Sequence, residues 1–443
     1  MSNDLDLLSH LLAAAKTAGA DQSDAMYIKG MSLSLDRRGG KVEHIERAEG
    51  REIGLRVFVG QRSAIVSASA TDPAGFARIA EQAVSMAKLV PEDEYSFIPT
   101  ASPAPDAGFL DLDDPEEPAV DELIRRATLA EDAALAVAGV TNSEGASAGW
   151  GRSEVALLTS LGFAAAYASS GHSISASAIA GAGVDMQRDY YYSGASHASD
   201  LEDAASIGRR AGEQAVARLN PSCPKTGRMS VVYHPRVATS ILGHFASAIN
   251  GNAIARQTSF LKDKMGMRIF APGIRIIDDP LRVRGSRSRP CDGEGQAVST
   301  LSLIEDGILQ SWVLDCRSAR QLGLKTTGHA ARGTSGPPSP STSNLYLAAG
   351  SLSPDELMAD IGEGLFITEL IGMGINGLTG DYSRGASGFM IRNGAIAEPV
   401  AEFTIAGNLN DMFAHLTPAN DLLLRRGTES PTIRIEGLMV AGA

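Results

Sequence analysis

The residues whose types and spacing could do chemistry are concentrated in one stretch, residues 372–408, GMGINGLTGDYSRGASGFMIRNGAIAEPVAEFTIAGN. It begins at Gly372 with G-x-G-x-x-G, and Glu398 follows about 20 residues later, the pattern of a dinucleotide site. That site requires a helix whose N-terminus faces the pyrophosphate. Residues 378–389 contain further glycines and show no apolar period of 3.6 residues, which argues against a helix and against a nicotinamide cofactor.

A second pattern in this stretch resembles the G-x-S-x-G of serine hydrolases, but Phe389 stands where the last glycine is needed. The interpretation that remains is a glycine-kinked β region, in which Asn393-Gly394 forms a two-residue hairpin turn. Glycines inside strands mark bulges or positions where another backbone or a ligand comes close. Two interpretations therefore stay open for this region, a tightly curved core sheet and a groove or interface.

Histidine and cysteine supply few candidates for a metal site. His234 and His244 are ten positions apart, about 80° around a helix, but no carboxylate neighbours them, so a capping or packing role is the preferred interpretation. The cluster Glu43-His44-x-Glu46 is most simply a solvated strand face. Cys223, Cys291 and Cys316 lack C-x-x-C spacing, which argues against a disulfide framework and a zinc ribbon.

Composition excludes several classes of protein. The chain has 443 residues, 44% of them hydrophobic and 21% charged, which is typical of a globular protein of two or three domains. Its net charge of −13 argues against nucleic acid as a partner, because an acidic chain is repelled by phosphates. The four arginines within residues 282–289 are interpreted as part of a solvated loop rather than a DNA-binding arm. No apolar run could span a membrane, and the N-terminus lacks the basic region of a signal peptide, so a cytoplasmic protein is expected.

Hydrophobic periodicity predicts an α+β fold. We expect an N-terminal helix-and-antiparallel-sheet domain over residues 1–220 and a mostly antiparallel β domain over residues 221–443. Residues 91–118 are predicted to be a solvated excursion, and residues 329–343 a long loop of the kind that forms lids or binding segments. The predicted helices cover residues 5–19, 73–90, 120–137, 200–219 and 236–255, and the predicted strands include residues 26–35, 41–47, 53–59, 61–69 and 229–233.

The C-terminal motifs also resemble those of the TldD/PmbA family, whose members were once labelled modulators of DNA gyrase. The resemblance rests on G-x-x-G-D-x-S from Gly377 to Ser383, on the A-x-G-F, N-G and P-V that follow, and on T-I-A-G-N-L from Thr404 to Leu409. It extends through most of the chain. The candidate substrate or interface residues are Asn376, Gly380, Asp381, Ser383, Gly385, Gly388 and Arg332.

Catalytic members of the TldD branch carry an H-E-x-x-x-H helix and a later cysteine that together hold one metal. This chemistry needs imidazole ligands, a carboxylate that activates water, and a third protein ligand. In the matching helix of this chain the three positions are Leu242, Gly243 and Ser247, and residues 421–433 contain no cysteine. The resemblance therefore implies the PmbA/TldE-type branch, with no catalytic residues and no metal of its own.

The function that the resemblance implies is that of a subunit paired with a TldD-type zinc peptidase. The pair would degrade or mature unfolded peptides, and zinc is expected in the partner. One alternative is a metal-free homodimer that binds peptides or regulates DNA gyrase. Another is an independent peptidase with an unrecognised site. The sequence identifies neither the peptide nor the choice between homodimer and heterodimer.

Overall fold

The computed structural model describes residues 2–69, 72–100, 103 and 107–443. The α+β prediction is confirmed, with one antiparallel sheet in the first half of the chain and further sheets in the second. The six strands of the first sheet follow the order β3-β2-β1-β4-β5-β6. The elements of this half are α1 (Ser2–Thr17), β1 (Gln22–Arg38), β2 (Lys41–Val59), β3 (Arg62–Ala68), α2 (Phe76–Leu89), α3 (Val120–Leu135), β4 (Val140–Thr159), β5 (Ala164–Ala180), β6 (Gln187–Ala195) and α4 (Ala204–Ala217).

The two faces of this first sheet have different neighbours, because successive side chains of a strand point to opposite faces. On β1, Ala25 lies in the core formed with α1 and α2, and Leu33 lies in the core formed with α3 and α4. Both helix pairs therefore cover the same face. Met26, on the opposite face, packs with Cys291 from the second half of the chain. At β1 the sheet thus lies between the helices and the C-terminal half.

The second half of the chain contains a hydrophobic core larger than either core of the first half, and strands of two sheets contribute to it. Strands β16, β15, β14, β7 and β19 are hydrogen-bonded in that order, and β16 also pairs with β19, so this sheet closes on itself. The elements are β7 (Gly227–Tyr233), α5 (Pro235–Ala248), α6 (Gly251–Ala255), β8 (Ile276–Asp278), β9 (Leu301–Glu305), β10 (Ile308–Leu309), α7 (Cys316–Gln321), β11 (Ala330–Ala331), β12 (Ser339–Pro340), β13 (Leu345–Leu347), α8 (Pro354–Met358), β14 (Glu363–Ile375), β15 (Asp381–Arg392), β16 (Ala395–Asn408), α9 (Leu409–Ala414), β17 (Leu416–Pro418), β18 (Thr428–Glu429) and β19 (Ile433–Ala441).

Most predicted helices and strands are present, but several segments differ from prediction. The two strands expected over residues 41–47 and 53–59 form the single strand β2, and the excursion over residues 91–118 buries Ile98, Leu110 and Leu112. The single helix expected over residues 236–255 is divided, because the Asn250 side chain caps a new helix at Asn252 N. Residues 329–343 are not a simple loop, since they contain the paired strands β11 and β12 and several buried side chains. Residues 101, 102 and 104–106 of the predicted excursion lie outside the described residues. Among the described helices, none is long and apolar enough to cross a bilayer.

Candidate functional site

The glycine-rich stretch forms three adjacent antiparallel strands, β14, β15 and β16, and no helix, as the sequence predicted. The Asn393-Gly394 hairpin turn is also confirmed, with φ angles of 50° and 80°. Strand pairing is interrupted by register shifts next to Gly374 and Gly388. These are β-bulges, which increase local twist and allow the sheet to curve.

Gly388 is buried at a close approach between β15 and β14. A Cβ atom added there would lie 2.0 Å from the carbonyl oxygen of Phe366. At Gly385, three residues earlier on the same strand, an added Cβ would lie 3.5 Å from Ile371, an ordinary van der Waals contact. The two candidate glycines therefore have different roles, and Gly388 serves the curvature of the core sheet.

We expect Gly388→Ala to lower the free energy of unfolding by about 3 kcal/mol or more, because a methyl group on the backbone carbonyl forces the strands apart. Gly385→Ala is the matched control, and its effect should stay within about 1 kcal/mol. Urea unfolding of both purified variants measures the difference. Equal destabilisation by the two substitutions would contradict this assignment.

Asn376, Gly380 and Asp381 form the turn that joins β14 to β15. The Asn376 side-chain oxygen accepts a hydrogen bond from Leu378 N at 2.9 Å, and Gly380, with φ of 81°, donates its N–H to the Asn376 carbonyl at 2.8 Å. The Asp381 carboxylate accepts from the Thr379 hydroxyl at 2.6 Å and from an Asn408 amide, which together lower the pKa of Asp381. These polar groups stabilise the turn itself.

The same end of β14 and β15 carries exposed apolar side chains. Met373 is 85% exposed, and Ile371 and Leu378 are each 62% exposed. Ser383, another sequence candidate, is exposed at this end of β15. Clustered exposed apolar residues mark contact surfaces more often than scattered ones do. We call Ile371, Met373 and Leu378 the apolar tip.

The three positions that resemble the metal-binding helix lie on α5 but do not face one site. Leu242 is buried in the C-terminal core, whereas Gly243 and Ser247 are exposed. The Ser247 hydroxyl donates to the Gly243 carbonyl at 2.9 Å within the helix. None of the three supplies an imidazole or a carboxylate, so this helix does not fit zinc.

His234 and His244 do not form a second metal site. His234 caps α5, its Nδ1 accepting from Arg236 N at 3.1 Å, which agrees with the capping interpretation. His244 packs edge-on against Tyr382. Ten residues of helix separate the two rings by roughly 15 Å along the axis, too far to share one ion. Burial lowers the pKa of each histidine to about 4, with help from Arg236 for the first and Arg384 for the second.

No group of three or more histidine, cysteine, aspartate or glutamate side chains suited to a metal occurs within the residues that the structure describes. A catalytic zinc needs three protein ligands and an open position. The residues at α5 and in residues 421–433 therefore do not fit that metal. Asp421, from the latter segment, instead accepts hydrogen bonds from the backbone and the hydroxyl of Thr432.

Arg332 lies between the two halves of the chain rather than at the surface. Its side chain is fully buried, and its Nη1 is 2.6 Å from the carboxylate of Asp24 on β1. Arg56 on β2 pairs with the same carboxylate. Burial alone would raise the pKa of Asp24, but the charges of Arg332 and Arg56 overcome it and hold that pKa below its usual value. We call Asp24, Arg56 and Arg332 the interface triad.

Glu294, next to the interface triad, is buried and carries a strongly shifted pKa. Burial, assisted by the charge of Asp292, raises the pKa of Glu294 from 4.5 to about 7. Its Oε2 accepts a hydrogen bond from Cys316 N at 2.8 Å. Because the folded state favours the protonated form, the stabilising contribution of this carboxyl is complete below pH 4.5 and is lost as the pH rises through about 7.

We expect Glu294→Gln to remove this pH dependence, because a glutamine amide is neutral and its oxygen can still accept from Cys316 N. The variant should be more stable than the parent at about pH 8, by on the order of 3 kcal/mol, and the difference should shrink toward about pH 5. Urea unfolding across this range measures it. Glu305→Gln, an exposed glutamate, is the control, and an identical profile for both variants would be contrary to expectation.

Three comparisons with known proteins place the chain in a family. Family models match the PmbA/TldA metallopeptidase domain 1 over residues 24–87, the central domain over residues 113–219 and the C-terminal domain over residues 226–442. The Escherichia coli O157:H7 metalloprotease PmbA is 35% identical over 434 residues, 97% of this chain and 94% of that protein. This chain belongs to the PmbA/TldD family. The resemblance stated from sequence is thereby confirmed.

One further relative and two solved structures are also similar to this chain. A Haemophilus influenzae metalloprotease PmbA homolog is 33% identical, covering 98% of this chain and 95% of its own length. TldE from Thermococcus kodakarensis has the same fold, with a TM-score of 0.86 at 19% identity over 98% of this chain and all of that one. A Bacteroides thetaiotaomicron protein described as a modulator of DNA gyrase has a TM-score of 0.90 at 24% identity, with full coverage of both chains.

No sequence motif predicted a cavity that the structure describes in this PmbA/TldD-family chain. Its volume is about 480 Å³, and it lies between β6 and α4 of the first half and the start of α5 of the second. Only His234 among the sequence candidates lines it. A motif could not have found it, because its walls come from segments more than 200 residues apart. Its other walls include Tyr190, Tyr192, Gln214, Phe366, Asp421 and Arg426.

Proposed function

We propose that this chain is the PmbA/TldE-type subunit of a two-subunit peptidase, and that a TldD-type chain supplies the zinc and the catalytic residues. The observation that carries the proposal is that α5 has no metal ligand and no catalytic base at the three positions that match the H-E-x-x-x-H motif. Leu242 is a core residue, Gly243 has no side chain, and the Ser247 hydroxyl is bonded within the helix. Peptide hydrolysis by a metal needs a polarised water and a base, and α5 provides neither.

The apolar tip supports a role for a partner chain. Met373 and its neighbours would expose their apolar area to water in an isolated subunit, and covering that area is favourable at about 25 cal/mol per Å². The turn beneath the tip is fixed by the hydrogen bonds of Asn376 and Asp381, so the tip is presented on an ordered support. We propose that this surface contacts a TldD-type chain in the heterodimer, or a second copy in a homodimer.

The first test of this proposal is assembly. A tagged form of this chain should co-purify with a TldD-type chain that carries H-E-x-x-x-H, in equal amounts, and light scattering should report a dimeric particle. A chain that stays monomeric at micromolar concentration, with and without the TldD-type chain, would refute the proposal.

We expect Met373→Asp to weaken that assembly at least tenfold, because a charge buried against an apolar partner surface costs several kcal/mol. Leu89→Asp is the matched control, since Leu89 is 86% exposed at the end of α2, far along the chain from the tip. Titration of the partner, followed by light scattering, measures both. Equal weakening by the two variants would remove the apolar tip from the interface.

The regulatory alternative, contact with DNA gyrase and its DNA, has less support. The arginines of residues 282–289 are engaged within the chain rather than free for phosphate. Arg284 pairs with Asp111 and Asp200, and Arg289 donates to the carbonyls of Ala330 and Ser341. These contacts occupy donors of both arginines, and the chain's net charge of −13 opposes binding to phosphates.

A further inference from the structure

The 480 Å³ cavity between the two halves contains an arginine that forms no ion pair within the described part of the chain, although the charge of the Glu429 carboxylate acts on it. The guanidinium of Arg426 lies over the ring of Tyr192, 4.0 Å from its centroid. Among the described residues, that guanidinium forms no ion pair, because the nearby Glu429 carboxylate is bonded to the backbone N–H groups of Arg425 and Arg426 instead. A guanidinium held in this way has its donors available to an anionic ligand.

The neighbouring arginines of the cavity each have a carboxylate within hydrogen-bond distance. Arg425 pairs with Glu202 at 2.5 Å, and Arg210 pairs with the same carboxylate at 2.8 Å. Arg236 pairs with Asp189 at 2.6 Å. Among the described residues of this cavity, Arg426 is therefore the arginine without a carboxylate contact, and its donors remain open to an anionic ligand.

Two smaller cavities, of about 180 and 240 Å³, adjoin the first and share Arg236 with it. Their walls contain buried polar atoms that lack a hydrogen-bond partner in the described part of the chain, namely Gln214 Oε1 and Thr368 Oγ1. A buried acceptor and a buried hydroxyl without partners cost free energy unless a ligand or water satisfies them. An amide N–H and a carbonyl of a peptide backbone match these two atoms.

We propose that the adjoining cavities bind the carboxyl-terminal end of an extended peptide, with its terminal carboxylate on Arg426 and its backbone amides reaching Gln214 and Thr368. The apolar walls, Tyr190 and Phe366 among them, receive the last side chains. This inference rests on the proposed function, that of a subunit of a two-subunit peptidase, and it adds that this subunit binds the peptide and specifies which end it binds and where.

A carboxylate explains these walls better than a nucleic acid does. Asp421 also lines the main cavity, and Asp189 lines the adjoining one, so a chain of phosphates would meet carboxylates as it extended along the walls. A peptide has one charge at its carboxyl terminus. The uncharged backbone next to it can lie beside both the acidic and the basic side chains of the walls. The combined space also exceeds what an isolated inorganic anion would fill.

The test uses the purified full-length chain and a fluorescein-labelled ten-residue peptide of Gly, Ala and Ser that ends in Leu. Fluorescence anisotropy compares the free acid with the C-terminal amide. We expect the amide to bind at least about tenfold more weakly, since it forfeits a charge-assisted pair with Arg426. Arg426→Gln should abolish the difference between acid and amide, whereas Arg425→Gln, the adjacent but paired arginine, should preserve it.

Gln214→Leu provides an independent variant, which should weaken the acid and the amide by the same factor because it removes a backbone contact and not the carboxylate contact. Urea unfolding confirms that each variant is folded. Four outcomes would each overturn the inference: the acid and the amide bind equally, Arg425→Gln removes the difference between them as Arg426→Gln does, the peptide does not bind at all, or a single-stranded oligonucleotide displaces it. If the peptide does not bind but the chain still co-purifies with a TldD-type chain, this inference is wrong and the proposed subunit role stands. If the peptide binds as expected but the chain does not co-purify, the proposed subunit role is wrong.

Discussion

Purified alone, the chain is expected to leave casein and unfolded peptides uncleaved, and mixed with a TldD-type chain it should support their cleavage. The expected difference is many orders of magnitude in rate, because a polarised water and its base account for most of the acceleration in a metal peptidase. Gly243 provides no base, and neither Leu242 nor Ser247 can replace an imidazole. Release of fluorescent fragments from labelled casein measures the rate, and elemental analysis should find no stoichiometric zinc in the isolated chain.

The control for this experiment restores the helix residues alone, as Leu242→His, Gly243→Glu and Ser247→His. We expect little gain, because residues 421–433 still lack the cysteine ligand and because Leu242 points into the apolar core rather than toward Ser247. Peptide hydrolysis by the unmodified chain alone, abolished by a chelator, would show that the non-catalytic assignment is wrong and that another metal site exists.

Replacing Asp24 with Asn is expected to lower the free energy of unfolding by about 3–5 kcal/mol, because it leaves Arg56 and Arg332 buried side by side without their anion. Both guanidiniums contact this one carboxylate, and it is 1% exposed. The effect should begin to shrink below about pH 4 and be lost as the pH falls through the lowered pKa of Asp24 in the folded chain, because the carboxyl of the parent chain then becomes protonated as well. Urea unfolding at neutral and acidic pH measures both parts of this prediction.

Asp36→Asn is the matched control, since Asp36 lies on the same strand but is exposed and accepts a hydrogen bond from the Ser147 hydroxyl. Its effect should stay within about 0.5 kcal/mol. A similar small effect for Asp24→Asn would show that the interface triad does not hold the two halves of the chain together.

Local signals in the sequence were enough for most of the secondary structure. The Asn393-Gly394 turn was predictable because a two-residue hairpin requires positive φ angles that Asn and Gly adopt. The α+β fold followed from the change between periods of 3.6 and 2 along the chain. The division of the helix at Asn250 was missed, because an asparagine inside a helical pattern becomes a cap only when tertiary packing favours a new direction.

The candidate site was less predictable, because its parts meet only in the fold. Arg332 was selected by resemblance, but its partner Asp24 is about 300 positions away, and no local pattern connects them. For His234 and His244, the absence of a neighbouring carboxylate already favoured a capping or packing role, and the structure shows His234 capping α5 and His244 packed against Tyr382. Arg426 was not singled out, since nothing local distinguishes an arginine paired with Glu202 from one that lies unpaired over Tyr192.

The continuity of the first sheet affects how this half of the chain can be divided. Family models separate residues 24–87 from residues 113–219, yet β1 from the first segment pairs with β4 from the second along the whole length from Asp24 to Arg37. A protease that cuts between the segments would therefore leave two fragments joined by a ladder of backbone hydrogen bonds. Either fragment expressed separately would present that ladder as an open edge, which favours aggregation. The two sequence segments are one folding unit.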